Sequence, residues 1–254
     1  MTPKLSRHIF RQIIFLLVLL GSGTTSFAFQ EEIITSNKNV YKRVTGGAIQ
    51  GTDWVTVDNL VDFDKFRIRD TVLLIQMKGV QAKVPESAFY GDSQDTTGAP
   101  GRYEFLIIED TVKSTRTIQF TNPIINSYDV ASDVQLIRVP TFYSATVAAD
   151  LICPPWDSIT KTGGVLAMIV GRKLTLNANI NVSAKGFRGG AVETGDGFCS
   201  EINPAVYRKF SYDASFKNSG FKGEGMVSKA WIDFAVQLPV FPGFSKGKGP
   251  NFNG

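Results

Sequence analysis

The residues best suited to chemistry are four acidic side chains in the second half of the chain, Glu193, Asp196, Glu201 and Asp213. Glycosidases and polysaccharide lyases use paired carboxylates, or a carboxylate beside Lys or Arg, so these acids could line a catalytic groove. Nothing in their spacing brings two of them to the separation of about 5–10 Å that such an enzyme needs. We therefore interpret them as loop acids and predict no catalytic residue, with a polysaccharide-active β-helix enzyme as the alternative.

Aromatic side chains follow these acids and could stack on sugar rings, which would make this region a carbohydrate-binding module. They are Tyr207, Phe210, Tyr212, Phe216, Phe221, Trp231 and Phe234. A loop-rich segment with few other apolar groups would also use such rings to fill its interior, and we favour that interpretation. Residues 222–225, KGEG, are interpreted as a tight turn, although Glu224 is a rare acid in a glycine-rich setting.

Metal and cofactor chemistry finds little support in the sequence. The only histidine, His8, lies in an N-terminal segment expected to be removed, so the mature chain cannot build a Ser-His-Asp triad or a His-ligated zinc site. Asp62, Asp64 and Asp70 crowd together, but their spacing matches no calcium loop, and we interpret them as a solvated turn. No Gly-x-Gly-x-x-Gly motif lies between a strand and a helix. We predict no metal and no cofactor.

The first 28 residues have the composition of an export signal. Three basic residues precede a short apolar run over residues 13–20, and a small-residue pattern predicts cleavage between Ala28 and Phe29. The apolar run is shorter than the roughly 20 residues of a spanning helix, so an uncleaved anchor is the minor alternative. The sequence therefore predicts a protein that is secreted or displayed at the cell surface, with no membrane span in the mature chain.

The basic charge of the chain comes mostly from that signal. The whole chain has 27 Lys and Arg against 23 Asp and Glu, and residues 1–28 contain three of the basic residues and none of the acidic ones. The mature chain thus carries a net charge of about +1. Nucleic-acid-binding proteins present a clustered basic face, which this sequence lacks, so we predict no nucleic-acid partner.

The chain has two cysteines, Cys153 and Cys199. In an exported protein such a pair most often forms a disulfide, which we predict here; two buried free thiols are the alternative. Closing a loop of this length would stabilise the fold by about 4 kcal/mol in the chain-entropy description. Two cysteines are too few for a structural zinc site.

Short strands without helical periodicity fill residues 38–150 and predict an all-β module, either a small barrel or a sandwich. The clearest strand is Thr71 to Lys78, a nearly continuous apolar run of the kind that is covered on both faces. We divide the chain into a signal peptide (1–28), an N-terminal all-β module (29–150) and a second β module (151–254). In the second module, residues 191–254 are expected to be loop-rich.

The second module is organised around the stretch from Gly163 to Gly190. From Leu174 to Lys185 apolar and polar residues alternate strictly, which is typical of a half-buried β-strand. Twelve residues exceed the usual strand length of about five or six, so we predict a bend at the asparagines 177–181. Strand, asparagine corner and strand are typical of a coil of a β-helix or of a stacked β-sandwich.

A family resemblance rests on a series of motifs in this order. They are TVLLIQMKG (71–79), GRYEFLII (101–108), VQLIRVPTFYSATV (134–147), PPWD (154–157), GGVLAMIV (163–170), LTLNANINVSAKGFRGG (174–190) and FKGEG (221–225). The most specific part is GFRGG followed by KGEG. With these motifs the chain resembles the N-terminal region of large secreted surface proteins of Bacteroidetes and related gliding bacteria, which are adhesin-like or associated with gliding motility.

The resemblance implies a non-catalytic extracellular module for surface attachment, exported by the type IX system. It also implies that a glycine-rich stretch and further domains follow the ending GKGPNFNG, so that this sequence is a fragment of a longer chain. Cell-surface glycans or proteins are the expected partners. Besides the polysaccharide-active enzyme or carbohydrate-binding module named above, a purely structural spacer remains open.

Overall fold

The computed structural model describes residues 31–80, 100–190, 192, 194 and 223–226, and these residues form an all-β protein, as predicted. Within these ranges the only helical pieces are two short 3-10 turns, Phe63–Lys65 and Val130–Ser132. The strands are β1 (Glu32–Ile34), β2 (Val40–Gly47), β3 (Trp54–Val57), β4 (Thr71–Gln76), β5 (Tyr103–Val112), β6 (Thr117–Phe120), β7 (Val134–Val139), β8 (Thr141–Val147) and β9 (Ile169–Leu176).

Six of these strands close into an antiparallel barrel with the order β2-β3-β6-β5-β4-β7. Closure comes from β7, which pairs with β4 on one side and with β2 on the other. Alternate residues of every strand point inward and form one core that includes Val44, Val55, Leu74, Ile118 and Leu136. The barrel is one of the two arrangements that the strand pattern predicted.

The other three strands form a parallel sheet with the order β1-β8-β9, which we call the stack. Ala145 of β8 lies beside Glu32 of β1 on one side and beside Leu174 of β9 on the other. A further parallel bridge joins Leu151 to Ile180, again 29 residues further along the chain, as Leu174 is from Ala145. Parallel pairing at a repeated chain spacing is the geometry of successive β-helix coils, although one register shift interrupts the β8–β9 ladder between Phe142 and Ser144.

The sheets group the strands differently from the predicted division at residue 150. β1 and β8 both precede that residue, yet they belong to the stack, where β8 pairs with β1 on one side and with β9 on the other. The barrel, residues 40–139, is therefore inserted between the first and second strands of the stack. Pro140 marks the point at which the chain leaves the barrel, and the strand that follows it is the central strand of the stack.

The predicted asparagine bend lies where β9 ends. β9 stops at Leu176, and the chain rejoins the stack with Asn181 N–H donating to the carbonyl of Leu151 at 2.9 Å. Leu174 and Leu176, predicted to be on a buried face, are exposed on β9, which has one neighbouring strand among the described residues. No helix among the described residues is long and apolar enough to cross a membrane.

Candidate functional site at the joint between barrel and stack

Residues 163–170, GGVLAMIV, form a seam between the barrel and the stack. Val165, Ala167 and Ile169 pack against the outer face of the barrel, on a cluster that contains Leu73 and Ile137. The alternate residues Leu166, Met168 and Val170 pack into the stack core around Ile34, Phe142 and Val147. Because both sides of an extended segment are covered, this part of the sequence is apolar at every position.

Polar side chains of the barrel hold the backbone of every second seam residue. The buried Gln135 amide accepts from the N–H of Gly163 and donates to its carbonyl, both at 3.1 Å. Asn39 accepts from the Ala167 N–H at 3.1 Å and donates to its carbonyl at 2.7 Å. Between them the hydroxyl of Tyr41 donates to the Val165 carbonyl at 2.6 Å. Burial of this hydroxyl raises the pKa of Tyr41 to about 12.

Glycine at the start of the seam is required by geometry. Gly163 has a φ of +99°, in the left-handed region that side chains rarely adopt. A Cβ at this position would lie 2.3 Å from the carbonyl oxygen of Pro155. The prolines before Trp156 and the seam thus approach each other closely, and only a residue without a side chain fits between them.

Next to the seam, two acids and two lysines form a buried cluster of charges. Lys78, just beyond β4, contacts Glu224 at 2.6 Å and Asp133 at 3.5 Å. Asp133 also pairs with Lys161 at 3.4 Å. The side chains of Asp133, Lys78 and Glu224 are only 8%, 13% and 16% exposed, so their charges neutralise one another largely away from water.

Two aromatic rings cover this cluster. The indole N–H of Trp156 donates to the same Glu224 oxygen at 2.9 Å that Lys78 contacts. Phe187 lies edge-on to Trp156 at 5.3 Å, and the Lys78 ammonium lies 5.5 Å from the Phe187 ring and 5.8 Å from the Trp156 ring. The backbone N–H of Glu224 donates to the carbonyl of Arg188 at 2.7 Å. We call these residues together the joint.

The electrostatics of the joint favour an ionised Glu224. Burial raises the pKa of its carboxyl group, but hydrogen bonds from Lys78 and Trp156 outweigh burial and hold that pKa below its usual range. The second carboxylate oxygen, Oε2, is buried and accepts no hydrogen bond from the described residues. The joint therefore holds a carboxylate facing a lysine, with a second carboxylate on the other side of that lysine.

The joint brings together motifs that are far apart in the sequence. QMKG contributes Lys78, PPWD contributes Trp156, GFRGG contributes Phe187, and KGEG contributes Glu224. The interpretation of KGEG as a turn with no further role is incomplete, because Glu224 is tied to Lys78 across 146 positions. Trp156 packs against Phe187 and Lys78 and donates to Glu224. No local sequence pattern predicts that Lys78, Asp133 and Lys161 belong to the joint.

The other predicted residues that the structure describes are not members of the joint. Asp62, Asp64 and Asp70 pair with three different cations, which are Lys65, Lys113 and Arg138.

Cys153 is a buried thiol whose pKa is raised by burial, and it forms no disulfide within the described part of the chain. Its predicted partner Cys199 lies outside the described residues, so the disulfide stays a prediction. The same holds for the cleavage site at Ala28 and Phe29, for the acids Glu193, Asp196, Glu201 and Asp213, and for the aromatic residues 207–234.

A second surface feature lies on the outer face of the barrel. Tyr103, Phe105 and Ile107 alternate along β5, point outward, and are 58%, 51% and 46% exposed. We call them the β5 strip. On β4, Ile75 lies opposite Tyr103, Leu73 opposite Phe105, and Thr71 opposite Ile107. Leu73 and Ile75 belong to the cluster on which the seam packs. The sequence feature that could have indicated this strip is the continuous apolar run FLII (105–108). Its outward-facing residues are not covered by other described residues.

No protein-family model matches this chain, and no curated protein matches it. Among the solved structures that share some likeness with it are three phage tailspikes. The tailspike gp49 from Pseudomonas phage LKA1 is 14% identical over 50% of this chain and 21% of its own, with a TM-score of 0.25. The Pseudomonas phage phi297 tailspike gp61 is 14% identical over 57% and 21%, with a TM-score of 0.29.

The third structure is the Gp54 tailspike of Acinetobacter baumannii bacteriophage AP22, solved in complex with an A. baumannii capsular saccharide. It is 7% identical over 63% of this chain and 26% of its own, with a TM-score of 0.28. The chain thus spans between a fifth and about a quarter of the length of these tailspikes. Likeness at this level does not assign a function.

Proposed function

We propose that the chain is a non-catalytic extracellular module of a cell-surface, adhesin-like protein that serves surface attachment. The observation that carries this proposal is the joint. Its charged side chains contact one another and two aromatic rings, and they connect Glu224 to Lys78 at the end of β4 and to Trp156 in the segment between β8 and β9. Charged groups that pair with one another in this way support a role in the scaffold, where they stabilise the fold.

The sequence supports the extracellular part of this proposal. The N-terminal 28 residues have the pattern of an export signal, and the chain beyond them contains no histidine. The motifs that meet at the joint are those that resemble the secreted surface proteins of gliding bacteria. Export by the type IX system and association with gliding motility follow from that resemblance as further parts of the proposal.

Retention of the purified full chain on intact bacterial cells and on immobilised polysaccharides tests this proposal. We expect saturable retention on at least one of these surfaces, because an attachment module needs no other component to bind. Absence of retention on all of them would contradict the proposal. Binding that saturates at the same level after thermal unfolding would also contradict it, since a folded surface is what we propose binds.

A polysaccharide-active enzyme is the second candidate, and one observation favours it. Lys78 lies between two carboxylates, Glu224 and Asp133, and carboxylates flanking a basic group occur in enzymes that cleave sugar chains. Release of new reducing ends or unsaturated products from a polysaccharide panel would establish this candidate. Such a product should then disappear in the Glu224→Gln variant while the thermal unfolding transition is retained.

A further inference from the structure

The β5 strip continues a face of the barrel that is already an interface. On β4 and β7 that face is covered by the seam, which packs Val165 and Ala167 against Leu73 and Ile137. One strand further round the barrel, Phe105 lies directly opposite Leu73 but is half exposed. An apolar row this exposed on a soluble surface indicates a binding site.

β5 is not an edge strand of the barrel. Residues 103–107 pair with β4, and residues 108–112 pair with β6 on the other side of the strand. Because the barrel is closed, β5 lies between two neighbouring strands and differs from the edge strands to which peptides add. We therefore consider binding through the outward side chains.

The strip is too small for a folded protein partner. Three alternating positions of a strand span only about 14 Å, whereas a stable protein interface buries about 800 Å² on each side. A narrow row of this length instead matches a short run of sugar units in a linear chain, whose C–H faces pack on aromatic rings while its hydroxyl groups stay in water.

The ring geometry and the surrounding charges narrow the ligand further. The Tyr103 and Phe105 rings are 6.0 Å apart and inclined at 82°, so they cannot both lie flat on a planar, crystalline polysaccharide. Exposed Glu109 and Asp110 lie at the far end of the strand, and their negative charges disfavour the binding of an acidic polysaccharide. At the near end, the Arg102 guanidinium group donates to the carbonyl of Ser127 within the protein.

We infer that the β5 strip is a binding site for a neutral, soluble polysaccharide chain. This inference rests on the proposed attachment function and names the surface and the ligand class that would perform it. Phe105 is the central contact, Tyr103 adds a second ring with a hydroxyl group, and Ile107 completes the apolar row.

The test measures binding of the full chain to laminarin, dextran and mannan by affinity electrophoresis, with alginate and microcrystalline cellulose as the acidic and the flat comparison. We expect binding to at least one neutral soluble chain, and Phe105→Ala and Tyr103→Ala should each raise Kd about tenfold, as truncation of a central contact does. Ile33→Ala serves as the matched control, because Ile33 is 66% exposed on β1 in the other sheet.

The outcomes distinguish the polysaccharide site on the β5 strip from the proposed attachment function. Binding that is unchanged in both aromatic variants places the site elsewhere and overturns the inference while the attachment function stands. Retention on cells that is lost after protease treatment but not after periodate oxidation identifies a protein partner and overturns the inference in the same way. Binding to cellulose or alginate alone also overturns it. Absence of binding to every cell and polysaccharide overturns the attachment function itself. Circular dichroism and thermal unfolding confirm that each variant is folded.

Discussion

At the scale of single residues, Glu224 is the side chain on which the joint depends. One of its oxygens accepts from both Lys78 and Trp156, and its backbone N–H is bonded to Arg188, so one residue connects three separate segments. A carboxylate that is buried with a lysine stabilises the folded state only while both charges remain, because an unpaired buried charge is costly.

Replacing Glu224 with Gln should lower the free energy of unfolding by about 1–3 kcal/mol. The amide still accepts from Trp156, but Lys78 loses its closest counter-charge and keeps only Asp133 at 3.5 Å. Urea unfolding followed by tryptophan fluorescence measures the loss. Glu109→Gln is the control, because Glu109 is an exposed acid on β5. An equal loss in both variants would show that the joint contributes nothing.

Acid should weaken the same contact. The pKa of Glu224 in the folded protein lies below its ordinary value of 4.5, so its contribution to stability is fully present above that value and is lost as the pH falls through the folded pKa. The wild-type chain should therefore lose more stability than Glu224→Gln between neutral pH and pH values below 4.5. Parallel pH dependences in the two proteins would mean that Glu224 does not titrate with unfolding.

At the scale of elements, the seam is the part of the chain that makes barrel and stack one structure. Its odd-numbered residues face the barrel and its even-numbered residues face the stack, so a single extended segment serves two cores. The side-chain amides of Gln135 and Asn39 make the hydrogen bonds to the seam backbone that a neighbouring strand would make in a sheet. The seam is thus held by the barrel without belonging to the barrel sheet.

Replacing Asn39 with Ala should destabilise the protein by about 1–3 kcal/mol, since it leaves partly buried backbone groups without their side-chain partner. Asn39 donates to the carbonyls of Arg138 and Ala167 and accepts from the Ala167 N–H. Urea unfolding measures the effect against Asn122→Ala, whose exposed side chain makes only a long contact of 3.5 Å to Thr121. A loss no larger than in that control would contradict the role assigned to Asn39.

Local patterns in the sequence predicted those elements whose environment is local. The apolar run over Thr71 to Lys78 was correctly interpreted as a strand covered on both faces, since β4 faces the barrel core on one side and the seam on the other. The partners of β1 and β8 could not be predicted, because β1 lies 113 positions from its neighbour and parallel pairing leaves no turn signal. The contact between Lys78 and Glu224 was missed for the same reason, since neither residue belongs to a periodic pattern.

At the scale of the whole molecule, a closed barrel is inserted into a parallel stack and the two share the seam and the joint. The barrel presents the β5 strip on its outer face. The chain enters the barrel from β1 of the stack and leaves it into β8 of the stack. Such a molecule is suited to displaying a binding surface at a fixed orientation, which is what an attachment module requires.

The shared seam predicts that barrel and stack unfold together. Scanning calorimetry of the full chain should show one transition whose calorimetric and van't Hoff enthalpies agree, because neither part can lose the seam without exposing the core of the other. Two separated transitions would show that the barrel and the stack are independent domains.

The most direct test of the proposed function measures retention and turnover in one incubation of the full chain with intact cells and soluble polysaccharides. The attachment account predicts saturable retention with no new reducing ends or unsaturated products, in the wild-type chain and in Glu224→Gln alike. Product release by the wild-type chain that disappears in Glu224→Gln would contradict it and would make the joint a catalytic site.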